Sequence, residues 1–398
     1  MAVVILFACL FWVSFILMLW TYFGYPLLMY VWSKVAPKPI KKETFYPSIT
    51  MLIPAYNEAD VIGKKLENTV SLEYPKDKLQ ILVIDDGSDD GTAEIVQSFA
   101  DRGVTLLKQP VRGGKMGAVN MGFEHATGEI VLLSDASPIY EKEALQKLVR
   151  GFADPSVGVI VGTLAIWDTD RGVAKQAGMY WKYEAALRKW ESRTGSTVAV
   201  HGNMFAIRRH LHKPLQKGTI NDEFSLAMEA NAQGYRVVYE PEAISYDEAS
   251  SSMADEYNRR VRINAGRYQA LFNAGYLRAP SLQMAFRLFS HKFLRPLSPV
   301  LMIIIFAANL LTVVLWGEEG SDFLLLRRGW GLLFLVGQIG FYLLAWLGAI
   351  FEKRGYRKVL IFSVPYFFVG SNFAALMGLW RWASGRQKVT WKKRSASS

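Results

Sequence analysis

An α/β domain flanked by transmembrane and interfacial helices is the fold this sequence predicts, on three observations. Apolar runs long enough to cross a membrane stand at both ends of the chain. Strand and helix signals alternate between them. Carboxylates gather directly after two of the predicted strands.

The residue balance agrees. Of 398 residues, 51% are hydrophobic and 20% charged, with 12 Trp, 18 Tyr and 23 Phe. That load excludes a disordered chain and is high for a soluble enzyme. The 46 Lys and Arg against 35 Asp and Glu leave a net charge of +11, which suits nucleic acid, anionic lipid or a phosphate-bearing substrate. The single cysteine, Cys9, excludes a disulfide framework and a Cys-based zinc site. The 5 histidines show no H-x-x-x-H spacing.

Residues 1–42 read as an N-terminal anchor. No charge occurs from Met1 to Trp32, and about 20 apolar residues suffice to span the hydrocarbon core. A basic n-region and a small-residue cleavage site are missing, so the segment reads as retained. Lys34, Lys38, Lys41 and Lys42 follow and place the next domain on the cytoplasmic side.

Three further apolar runs fall within residues 298–380, the last broken by Pro365 and by Gly370-Ser371-Asn372. If that run spans, the basic tail 381–398 lies outside, against the charge rule. A re-entrant or interfacial pair of half-helices resolves the conflict and keeps the tail cytoplasmic. Residues 281–297 mix Arg287, His291, Lys292 and Arg295 with Phe286, Leu288, Phe289, Phe293 and Leu294, the pattern of an interfacial amphipathic helix on anionic membrane lipids. The membrane thus accounts for much of the basic excess, and no nucleic acid partner is needed.

Residues 43–280 alternate as βαβ units do. Ser48–Ile53, Gln80–Ile84, Val104–Leu107 and Glu129–Leu133 are short apolar runs. Glu58–Leu72, Thr92–Phe99 and Gly117–His125 carry helical spacing. Ligands of such parallel sheets sit at the carboxyl ends of the strands, just after Ile53, Ile84 and Leu133. There stand Asp85-Asp86-Gly87-Ser88 and Ser134-Asp135-Ala136-Ser137. Gathered carboxylates call for a cation or for donor groups facing them, although turn chemistry and helix capping account for the first cluster alone. Neither G-x-x-x-x-G-K-[ST] nor G-x-G-x-x-G after the first strand is present, so P-loop and dinucleotide readings fail.

Pro54-Ala55-Tyr56-Asn57-Glu58, Asp85-Asp86-Gly87-Ser88 and Gly114-Lys115-Met116-Gly117-Ala118-Val119-Asn120 together resemble the family 2 inverting glycosyltransferases. More narrowly, the chain is similar to the membrane-embedded branch that includes cellulose, hyaluronan and poly-N-acetylglucosamine synthases. The resemblance implies a cytoplasmic GT-A (Rossmann-like) domain. It implies that Ala55, Tyr56, Glu58, Asp85 and Asp86 hold the uridine of a UDP-sugar donor and that Lys115 meets its diphosphate. Asp135 begins the family's D-x-D, and Ser137 replaces its second acid. Both would serve an Mg²⁺ or Mn²⁺ ion, with the hydroxyl a weak ligand.

Asp222-Glu223, ahead of Gly234-Tyr235-Arg236, resembles the T-E-D segment. Glu223 falls on the base that takes the acceptor hydroxyl's proton, and Asp222 on its acidic neighbour. An acidic pair favoured by a helix dipole is the plainer reading. Arg259 to Gln269 resembles the Q-x-x-R-W segment, with Arg259 for Gln, Ile263 for Trp, and Arg262 kept for the leaving diphosphate. A basic helix face near headgroups is the alternative. Gly202 and Asn203 resemble an acceptor-side segment, and Thr390, Trp391 and Lys392 a gating segment.

The resemblance implies transfer from a UDP-sugar to a lipid-linked or glycan acceptor at the cytoplasmic face of the plasma membrane, in cell-surface or exopolysaccharide synthesis. Ile263 offers no flat platform for stacking a polymer, and the spans are few. Limited addition is therefore expected. Polysaccharide-assembly partners would then flip or polymerise the product. A processive synthase coupled to secretion is the alternative, with a homo-oligomer completing a channel. A non-catalytic nucleotide-binding membrane protein is the competing class. Only Ser137 and Ile263 favour it.

Overall fold

The structure, a computed structural model, describes residues 2–166, 173–216, 218–247, 253–272, 279–315, 323–326, 328–354 and 359–387. It divides into two compact units. One holds Met1–Leu28, Tyr257–Tyr268 and Phe289–Gly385, the other Met29–Glu256 and Gln269–Leu288.

Four helices are long and apolar enough to cross a membrane: Ala2–Val35, Leu282–Leu315, Gly329–Lys353 and Leu360–Ala383. The shortest has 24 residues, roughly 36 Å at 1.5 Å per residue and longer than the hydrocarbon core. By that measure this is a membrane protein. Phe11 is buried against Ile305, Ala308 and Leu326 in the first unit.

Two expectations from the sequence are corrected here. The last run is one unbroken helix, Leu360–Ala383, not two half-helices. Pro365 sits close to its start, and Asn372 Nδ2 donates to Phe368 O at 2.9 Å within the helix. Ser371 Oγ accepts from Arg260 Nη1 at 2.7 Å. The polar residues thus bond to the helix itself or to its neighbour, and the backbone ladder continues. Gly378 permits that neighbour's approach, since a β-carbon there would lie 2.8 Å from Asn264 Cβ.

Residues 281–297 also form no separate interfacial helix. The backbone runs helically from Leu282 to Leu315, through a π-helical segment at Leu288–Phe293. Arg287, His291 and Arg295 are buried. Arg287 donates to the carbonyls of Glu191, Thr194 and Ser196 and to Thr194 Oγ1. Its charge answers a turn of the chain, not lipid headgroups.

The second unit is built on an eight-stranded sheet. Its strands are β1 (Ile49–Ala55), β2 (Leu79–Asp85), β3 (Val104–Lys108), β4 (Ile130–Leu133), β5 (Ile139–Tyr140), β6 (Val157–Ile166), β7 (Phe205–Arg208) and β8 (Arg236–Asp247), in the order β3-β2-β1-β4-β7-β6-β8-β5. The first four are parallel. β7 runs antiparallel to β4 and β6, β6 parallel to β8, and β5 antiparallel to β8. Side chains alternate between two cores. Met51, Ile53 and Val83 pack with Ile62, Leu66 and Leu145 on one face. Leu52, Leu82 and Ile84 pack with Met116, Val119 and Phe224 on the other. Helices therefore cover both faces, and polar strand ends remain for the site.

The strand directions carry a consequence. β6 and β8 run the same way as β1, β2 and β4, because two antiparallel steps intervene between β4 and β6. The carboxyl end of β8, at Asp247, thus lies on the same edge as the ends of β1, β2 and β4.

Candidate active site

Three carboxylates meet one ammonium on that edge. Lys115 lies in the first turn of the helix Gly114–His125. Its Nζ is 2.7 Å from Glu223 Oε1, 3.0 Å from Asp135 Oδ1 and 3.1 Å from Asp222 Oδ2. Nζ donates to Glu223 and Asp135, while the buried Asp222 Oδ2 is ion-paired to it without accepting a hydrogen bond. Asp222 and Glu223 open the helix Asp222–Ala232, where the dipole favours negative charge. Burial pushes the Glu223 carboxyl up to about 7, and the Asp222 charge adds to this against the pull of Lys115. Burial opposes the Lys115 charge, but Asp135, Asp222 and Glu223 outweigh it and hold the group well above an ordinary lysine. Gly202 stands against this cluster. A β-carbon there would overlap Glu223 Oε1 and lie 3.3 Å from Lys115 Nζ.

The ends of β1 and β2 are laced together. Asn57, at φ 54°, takes Ser88 Oγ on its N–H at 3.0 Å and exchanges side-chain bonds with Asp89. The Glu58 N–H donates to Thr92 Oγ1 at 2.9 Å. Asp85 and Asp86 are both buried. Asp85 accepts from Ser88 N in its own turn at 3.2 Å, as turn chemistry foresaw. Asp86 Oδ1 accepts from Gly113 N, Gly114 N and Gln109 Nε2 at 2.7, 3.0 and 3.1 Å. Its Oδ2 lies 3.8 Å from Arg112 Nε. Burial raises the Asp86 carboxyl, against these N–H donors. The Arg112 guanidinium in turn covers the Tyr56 ring at 3.6 Å. Arg112 was not singled out in the sequence, although it directly precedes Gly113-Gly114-Lys115.

Beside Asp135, Ser137 Oγ donates to Asp247 Oδ1 at 3.0 Å, and Asn203 Nδ2 donates to Asp247 Oδ2 at 3.2 Å. Behind them Lys65 is fully buried. Its Nζ donates to Pro138 O at 2.7 Å and lies 3.8 Å over the Tyr140 ring. Burial lowers its pKa to about 7, against the pull of Asp135 and Asp247. Among the described residues no three acidic, histidine or cysteine side chains form a metal cluster. His201 is half-buried, with Nε2 3.1 Å from Gly162 O, and desolvation of its ring holds it well below an ordinary histidine.

Arg259, Arg262 and Ile263 lie on the helix Met253–Phe272, in the first unit. Arg259 is exposed, while Arg262 and Ile263 are half-buried. Thr390, Trp391 and Lys392 lie outside the described residues. Lys65 and Asp247 also escaped the sequence reading.

Residues 50–215 match the model of the glycosyl transferase family 2. That stretch is similar to a glycosyl transferase family 2 domain. The chain is 29% identical over 259 residues to the probable glycosyltransferase YdaM of Bacillus subtilis, covering 61% of each chain. It is 25% identical over 229 residues to a poly-beta-1,6-N-acetyl-D-glucosamine synthase of Staphylococcus aureus, covering 56% of this chain and 55% of that one. The chain thus spans well under two thirds of the length of both relatives. Among solved structures, the mannosyltransferase PcManGT of Pyrobaculum calidifontis, in complex with GDP-Man and Mn²⁺, matches with a TM-score of 0.71 at 23% identity. The match covers 95% of this chain and 100% of that one. This likeness shows the fold, a GT-A-like α/β domain with long apolar helices.

Proposed function

We propose that the chain is an inverting glycosyltransferase that moves a sugar from a UDP-sugar to a lipid-linked or glycan acceptor at the cytoplasmic face of the plasma membrane. The observation that carries the reading is Glu223, a carboxyl held near 7 beside Lys115 and backed by Gly202. A group poised near the working pH is suited to general-base catalysis. Glu223 takes the proton of the acceptor hydroxyl as that oxygen bonds to the anomeric carbon. The bond from that carbon to the UDP oxygen breaks on the opposite face, so the configuration inverts. Lys115 sits where an anionic diphosphate meets both its ammonium and a helix N-terminus. Tyr56, Asp86 and Arg112 form the end suited to the nucleobase.

Asp135 and Ser137 offer hard oxygen donors at the same edge, a donor set that fits Mg²⁺ or Mn²⁺. A bound ion there would supply positive charge for the leaving UDP. The names of the two relatives support a glycan product. Ile263 in place of an aromatic ring supports a single or limited addition. A panel of UDP- and GDP-sugars offered to purified protein in native-lipid particles, read by nucleotide release and product mass, tests the reading. Release of UDP with a discrete mass shift on an acceptor is the expected result. Turnover of GDP-sugars alone would overturn the donor, and a polymer ladder would overturn limited addition.

A further inference from the structure

Asp247 is held by the surroundings of the loop that departs from the family pattern. β5 is two residues long and pairs Ile139 with Tyr246, which lays Ser137 and Pro138 alongside the end of β8. A closed ring of contacts results. Lys65 Nζ donates to Pro138 O and lies over the Tyr140 ring. The Tyr140 hydroxyl donates to Asn203 O at 2.6 Å. Asn203 Nδ2 and Ser137 Oγ both donate to Asp247. Asp247 itself is half-buried, and the buried Lys65 ammonium stands behind the ring.

Asp135 and Asp247 both lie within electrostatic reach of the buried Lys65, and Asp135 also pairs with Lys115. The available groups are carboxylate, hydroxyl and amide oxygens, which suit Mg²⁺ or Mn²⁺ and not a soft metal.

We propose that Asp247 supplies, from the end of β8, the carboxylate that the strand-end motif lacks at Ser137, so that Asp135 and Asp247 together hold the divalent cation of the donor site. The inference rests on the reading of that site as a nucleotide-sugar site. It makes Ser137 a hinge between two acids instead of a lost ligand.

The test uses the full chain in detergent. Free Mn²⁺ is followed by its electron paramagnetic resonance signal at saturating UDP, and UDP affinity is measured separately by calorimetry in EDTA. Asp135→Asn and Asp247→Asn should each weaken Mn²⁺ binding about tenfold or more, with UDP affinity in EDTA unchanged. Ser137→Asp combined with Asp247→Asn returns the acid to its family position and should recover Mn²⁺ affinity to within about threefold of the parent. Parent-like Mn²⁺ binding by Asp247→Asn would overturn the inference. So would a double variant no better than the single one, a comparison that also decides the matter if Asp247→Asn melts early. Parent protein that binds UDP but no Mn²⁺ defeats this inference alone. Parent protein that binds neither defeats the donor-site reading as well.

Discussion

Gly202 and Glu223 share one space: a β-carbon on the glycine would coincide with the carboxylate oxygen that Lys115 holds. The glycine is required by this close approach, not by its backbone angle. Gly202→Ala should push the Glu223 carboxylate off Lys115. Turnover should fall at least about tenfold, in line with the cost of misplacing a catalytic group, while UDP affinity by calorimetry stays within about twofold. Unchanged turnover would mean that Glu223 has room to move and still works.

Glu223→Gln keeps the shape of the side chain and removes its basicity. Transfer should drop by about two to four orders of magnitude with donor binding retained. If Asp222→Asn gives the larger loss, the base is Asp222 and the assignment of the pair is reversed.

The pH profile follows from the sign of the Glu223 shift. Burial and the Asp222 charge raise its pKa to about 7, and only the ionised form accepts a proton. The value of kcat/KM should therefore rise with pH through about 7 and be lost below it. Asp222→Asn removes one raising cause, so its midpoint should move to lower pH. A profile flat between pH 5.5 and 8, fixed limits of a standard buffer series that spans about one unit or more either side of the midpoint, would separate Glu223 from the rate-determining proton transfer.

Chelation should stop transfer, and Mg²⁺ or Mn²⁺ should restore it, because the departing UDP gains charge. The measurement is UDP release after exhaustive EDTA treatment with each ion added back. Full activity without added ion would leave Lys115 and the arginines as the only neutralising groups.

Arg287 gives a prediction about stability. Its guanidinium is buried and serves the carbonyls of Glu191, Thr194 and Ser196. Arg287→Met removes those donors from three inward-facing carbonyls and should cost about 3 kcal/mol, read as a lower melting temperature in detergent. A headgroup-facing arginine would show almost no loss.

The strands β1, β2 and β4 were legible because each is a short apolar run closed by a proline, an acid or a serine, whereas the longer, more polar β8 was not among the predicted strands. Ile49–Ala55 and Leu79–Asp85 both lie within a few residues of their predicted bounds. Lys115, Asp135, Asp222 and Glu223 were legible as a motif in order, and the fold gathers all four. Asp247 was not, because its bond to Ser137 joins positions 110 apart and depends on the β5–β8 register. Lys65 lies within the predicted helix Glu58–Leu72, and nothing local in the sequence says that it points inward. The run around Arg287 read as interfacial for the same reason. Charge pattern along a helix shows which faces are polar, but not whether water, lipid or a carbonyl meets them.

The row of alternating charges around Lys115 and Lys65 also constrains how this site can change. Removing Lys115 leaves the largely buried Asp222 and Glu223 without their counter-charge, which costs more than the pair was worth. Substitutions here should therefore be strongly non-additive, with single exchanges harmful and some double exchanges tolerated. A sequence drifting away from this arrangement has few neutral first steps, and viable variants should change an acid and its lysine, or two acids, together.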